Sequence, residues 1–159
     1  FKEDQLHTDN MQDFKLVENR INEVIKGAKD EIAILFCNLT SLRISETQSI
    51  LRFLKEKTRS NILVRILFPS GVDARIINSY SEIANVRIFE RKINADNIIT
   101  VPDYNKVLLT ATPTTDPIKN NKEPAYFVSY SDNERIAYAY ITTFEKLWLL
   151  QTVTQLEVG

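Results

Sequence analysis

A chain of 159 residues, 43% hydrophobic and 26% charged, is long enough to bury one substantial core and ordinary for a globular domain. A net charge of −1 gives no field-level case for nucleic acid or an anionic membrane, and no apolar run nears the roughly 20 residues that a membrane span needs. The single cysteine, Cys37, rules out an internal disulfide framework and fits a reducing, cytoplasmic compartment.

In chain order, polar residues 1–8 read as a ragged end or the tail of an upstream helix. A first helix is predicted over about 9–28, where Phe14, Val17, Ile21, Val24, Ile25 and Ala28 form one apolar face and Gly27 lies near the end. Residues 32–37 (IAILFC) form a continuous apolar run of strand length, as in a central strand covered on both faces. Ser45 is placed to cap a second helix, with Ile50, Leu51 and Leu54 inward and a solvated basic end at Lys55, Lys57 and Arg59. The next strand, 61–68 (NILVRILF), is closed by Pro69, Ser70 and Gly71. Asp73 opens a shorter helix through Ile76, Ile77 and Tyr80, and 85–89 (NVRIF) is a third strand.

Strand, helix, strand, helix, strand implies right-handed crossovers and a largely parallel sheet. The pattern then changes. Residues 97–101 and 105–112 are β-rich runs joined through Pro102, Asp103 and Tyr104, which predicts a hairpin, and 114–124 is a polar loop. A strand with alternating Tyr126, Val128 and Tyr130 leads through Ser131, Asp132 and Asn133, all able to cap, into a long helix. Its core stripe runs through Ala137, Tyr140, Ile141, Phe144, Leu147 and Trp148, the one tryptophan. Beyond it the stripe moves to Leu149, Val153 and Leu156, a spacing that suits a partner helix, most simply the same segment of a second copy. The expected organisation is an N-terminal extension or upstream helix end at 1–13, one folded domain at 14–151, and the start of a signalling helix or linker at 152–159. A chain that opens at Phe1 also reads as a piece of a longer protein.

Catalytic constellations are missing. With three glycines there is no phosphate loop or dinucleotide fingerprint, and no Cys/His cluster suits a metal; no catalytic residue, cofactor or metal ligand is assigned. His7, the one histidine, reads as solvated, and Cys37 as a small core residue. Asn38 and Thr40 follow the carboxyl end of the first central strand, where open α/β sheets place ligands. With Ser70 and Ser131 they are the candidate pocket for a small polar molecule, although a polar loop capping the sheet or ordered water accounts for them equally.

The order of elements, with EIAILF at 31–36, NILVRILFP at 61–69, SYSDNE at 129–134 and FEKLW at 144–148, resembles the phospholipase-D-like fold over about 17–151. More narrowly it resembles the phospholipase-D-like input domains of archaeal sensor histidine kinases; a related fold serves as the effector domain of sugar-responsive archaeal transcription regulators. The resemblance implies a mixed, largely parallel sheet flanked by helices, with a hairpin and a long C-terminal helix. The enzymes of the family carry H-x-K-x4-D on the hairpin strand and attack phosphorus with the imidazole. Aligning the hairpin turn puts Asp103 at the acidic position, Asp96 where histidine belongs and Ile98 where lysine belongs; an alternative register uses Tyr104, Lys106 and Ala111. Neither contains the histidine. The implied function is a non-catalytic sensory input domain of a two-component sensor histidine kinase, homodimeric through its last helix, with the kinase downstream in the same chain and no nucleic-acid partner. The alternatives are an effector-binding domain of a transcription regulator and, last, a phospholipase D-type phosphodiesterase or nuclease.

Overall fold

The computed structural model describes residues 7–11, 14–37, 44–90, 97–111 and 126–150. At its centre is β2 (Glu31–Phe36), whose run EIAILF offers an apolar side chain to both faces and is buried from Ile32 onward. Helix α1 (Phe14–Gly27) leads into it. Helices α2 (Ile44–Thr58) and α3 (Ala74–Ser81) then connect β2 to β3 (Leu63–Pro69) and β3 to β4 (Asn85–Phe89), and both pairings are parallel.

On the other side of β2 the direction reverses at every step. β5 (Asn97–Pro102) lies antiparallel to β2, with Phe36 opposite Ile98 and Ile32 opposite Pro102. β6 (Val107–Ala111) and β7 (Tyr126–Ser131) follow, each antiparallel to its predecessor, and β1 (His7–Met11) pairs with β7 at the edge. The order across the seven-stranded sheet is β1-β7-β6-β5-β2-β3-β4. The mixed sheet, hairpin and long last helix are as the sequence implies. Its parallel share is smaller than the strand–helix alternation predicts, with two of the six pairings parallel among the described residues, because alternation ends at β4.

Local departures have local causes. Residues 7–11 (HTDNM) are an edge strand rather than an extension, and α1 begins at Phe14, not near 9. A polar edge strand held by one ladder carries no apolar alternation to read. Asn61 ends the α2 turn at φ 63°, a left-handed conformation that asparagine tolerates, so β3 starts at Leu63. Ser45 falls inside α2 instead of ahead of it. The polar run 114–124 lies outside the described residues.

The sheet separates two cores. One is formed with α1, α2 and α3 and includes Ile21, Ile25, Ile34, Leu54, Ile66 and a ring cluster in which Phe36 stacks on Phe68 at 4.8 Å and Tyr80 meets Phe68 edge-on at 5.2 Å. The other lies under α4 (Glu134–Leu150), where Ile141, Phe144, Leu147 and Trp148 pack on Leu35, Leu67, Phe89 and Val101. Asn133 caps α4, its Oδ1 accepting from the Arg135 N–H at 2.8 Å, as the Ser-Asp-Asn run predicts. No helix among the described residues is long and apolar enough to cross a membrane.

Candidate functional site

The four residues expected to line a pocket do not all converge. Asn38 and Thr40 lie outside the described residues. Ser70 is exposed just beyond the carboxyl end of β3, and its N–H donates to the Phe89 carbonyl at 2.9 Å. Ser131 stands at the opposite end of the sheet. Three antiparallel steps separate β7 from β2, an odd number, so the carboxyl end of β7 lies beside the amino end of β2. Its hydroxyl is buried there and accepts from the Asn133 N–H at 3.1 Å, which makes it part of the entry to α4.

The positions aligned with the hairpin motif are likewise split. Ile98 is buried opposite Phe36, near the carboxyl end of β2, and Asp96 lies outside the described residues. Asp103 sits at the other end, in the β5–β6 turn, with φ 51°. Its carboxylate accepts the backbone N–H groups of Lys29 (2.8 Å), Asp30 (2.8 Å) and Glu31 (3.0 Å) and so fastens the turn to the start of β2. Burial pushes its pKa up, but the three N–H donors, with nearby Lys106, outweigh that and hold it below the usual carboxylate range. Asp103 is a latch. His7 pairs with Tyr130 in β1, level with Leu108 and therefore toward the turn end, away from the start of β5. No cluster of three or more His, Cys, Asp or Glu suited to a metal occurs among the described residues.

Tyr104, the next residue in the turn (φ 60°), faces a network that the sequence reading passed over. Arg65 of β3 forks onto Glu145 of α4, Nη1 to Oε2 at 3.0 Å and Nη2 to Oε1, and Nη2 also donates to the Tyr104 hydroxyl at 2.9 Å. That hydroxyl donates to Glu31 at 2.7 Å; burial and this bond push its pKa up to about 12. The Arg65 guanidinium lies 5.2 Å from the Phe144 ring centroid and 5.4 Å from that of Trp148. Arg87 of β4 reaches the Trp148 ring at 4.2 Å and donates to the Trp148 carbonyl at 2.7 Å, near the C-terminal end of α4 where a cation is favoured. The signal in the sequence was an arginine interrupting each of two apolar strands, LVRILF and NVRIF.

The turn also borders an open cleft of about 390 Å³ on the α1 side of the sheet, between the last turns of α1 and residues 102–106. Val24, Pro102 and Leu108 supply its apolar wall, and Arg20, Glu23, Lys29, Asp103 and Lys106 its charged rim.

This architecture has solved counterparts. Nuc from Salmonella typhimurium, a phospholipase D family member, matches at TM-score 0.59 and 11% identity over 93% of this chain and 97% of its own. The fold is phospholipase-D-like. NucT from Helicobacter pylori matches at TM-score 0.60 and 11% identity, covering 94% of this chain and 99% of that one. TrmBL2, an archaeal chromatin protein with a novel mode of DNA binding, matches at TM-score 0.59 and 11% identity over 95% of this chain. The chain spans 55% of TrmBL2. No family model and no curated protein matches the sequence. At these identities the likeness is one of fold, and the phospholipase-D-like sheet by itself carries no activity.

Proposed function

We propose that the chain is a non-catalytic regulatory module, the input domain of a two-component sensor histidine kinase in the cytoplasm, whose output runs through α4. The observation that carries this reading is the place of the only imidazole. Phospholipase D chemistry needs a histidine at the amino end of the hairpin strand, and the one histidine of this sequence stands in β1 toward the other end of the sheet. Support for the output route comes from α4, held to the sheet by Phe144 and Trp148 and ending in Leu149 and Leu150, 78% and 69% exposed. Leu149 is the described member of the stripe expected to take a second copy; Val153 and Leu156 lie outside the described residues. The likeness to TrmBL2 favours a second reading, the effector domain of a transcription regulator whose DNA contacts lie in another segment.

The test is turnover. Purified protein incubated with generic phosphodiesters and single-stranded DNA is expected to release no product. Hydrolysis that is lost in His7→Ala overturns the non-catalytic reading.

A further inference from the structure

The β5–β6 turn joins two places that the sheet keeps apart. Asp103 lines the cleft on the α1 side, while Tyr104 bonds to Arg65 and Glu31 within the α4 network. Both residues hold positive φ, 51° and 60°, a conformation that non-glycine residues keep only where their surroundings impose it. The two are therefore set as one rigid unit. On the cleft side the Asp103 carboxylate, though its oxygens accept three backbone N–H groups, keeps its charge and with Glu23 balances the exposed ammonium groups of Lys29 and Lys106. Arg20 adds a further cation to the rim, and the Val24–Pro102–Leu108 wall adds apolar surface.

We infer that this cleft binds a small organic anion, a phosphate monoester or carboxylate with an apolar body, and that Tyr104 carries its occupancy through Arg65 to Glu145 and Trp148 of α4. The inference rests on α4 being the output of a regulatory module, and it gives that module an input. An anion drawn to Lys29 and Lys106 pulls on the turn from both sides of Tyr104, through Lys106 after it and through Asp103 before it, whose carboxylate accepts the Lys29 N–H. Its hydroxyl cannot shift without releasing or tightening Arg65, whose guanidinium faces the Trp148 ring.

Trp148 is the one tryptophan, so its emission reports the far end of this route without a label. The full chain is titrated with phenyl phosphate, inorganic phosphate and succinate, following backbone amide resonances of Lys29, Asn105 and Lys106 together with Trp148 fluorescence. Phenyl phosphate is expected to give saturable shifts at these amides and a parallel change in emission, with inorganic phosphate weaker because it lacks the apolar body. A response to succinate instead assigns the carboxylate source. Gly27 borders the cleft with ordinary helical backbone, and a Cβ built on it meets nothing within 4 Å, so Gly27→Leu has room at its first carbon and should abolish saturation by crowding the cleft. Tyr104→Phe should leave the amide shifts in place and silence the tryptophan.

No saturable shift with any of the three probes, or unchanged affinity in Gly27→Leu, overturns the site. Shifts without an emission change in the wild type overturn the transmission. His7-dependent hydrolysis sinks the proposed function while leaving a positive binding result standing, so the two failures are distinguishable.

Discussion

Asp103 shows how one carboxylate can hold a turn. Both its oxygens accept backbone N–H groups from the start of β2, and an amide in its place has one acceptor oxygen and no charge. Asp103→Asn is therefore expected to cost about 1 kcal/mol near neutral pH, a figure kept low because the group is part-exposed. The pH dependence has a definite sign. A carboxylate whose folded pKa is depressed contributes stability that is complete above its unfolded pKa, ~3.9, and lost as pH falls through the lower folded value. Denaturant melts of the two proteins should thus differ fully at pH 6 and converge as pH drops through the acid range. A gap that stays constant into strong acid removes the charge from the explanation. Arg65 is the complementary case, a guanidinium in an apolar strand that survives because Glu145, Tyr104 and two rings surround it. Burial pulls its pKa down, yet the bond to Glu145 and the neighbouring charges raise it overall, so it stays charged at every accessible pH.

At the scale of elements, α4 divides at Trp148. Up to that residue one face is buried in the core beneath the helix, with Phe144 and Trp148 stacked at 5.7 Å between centroids; beyond it Leu149 and Leu150 are exposed. Trp148→Ala should cost ~3–5 kcal/mol by emptying a packed site and removing the ring that Arg65 and Arg87 face. Leu149→Asp and Val153→Asp should leave the melting curve unchanged and lower the association constant seen by sedimentation. Should Val153→Asp unfold the protein as badly as Trp148→Ala, the stripe is core and cannot be an interface. The division was half legible in the sequence. The change of face from Trp148 to Leu149 is a matter of helical period, which a sequence displays. The arginines beneath the helix were not, because Arg65 and Arg87 meet Trp148 only after β3, β4 and α4 have been brought together.

Across the whole molecule, the parts read correctly are those fixed by short-range rules. The run IAILFC and the helices that alternate with apolar strands specify β2, β3 and β4 with their crossovers wherever they occur. The separation of Ser131 from Ser70 depends on parity. Whether Ser131 joins Ser70 turns on how many times the chain reverses between β2 and β7, and nothing near Ser131 records that number. β1 escaped for a related reason, since HTDNM is specified by the ladder it joins and not by its own pattern. Stability should follow the same gradient. Amide exchange is expected to be slowest in β2, β3 and β5, which have a neighbour on each side, and fastest in β1, which has β7 alone. Protection in β1 equal to that in β2 contradicts this order.

The Arg87 bond to the Trp148 carbonyl is the last fastening along α4 among the described residues, so a helix prolonged beyond it would pivot there, at the sheet edge. Any helix continuing past Leu150 is a rigid arm, rising about 1.5 Å per residue. Over a 20-residue arm of about 30 Å, a tilt of ~10° at the fulcrum carries the tip sideways by about 5 Å, close to one helical turn. If the chain signals through this helix as proposed, a rearrangement too small to disturb the sheet would thereby be magnified into a displacement large enough to change the packing of a neighbouring helix.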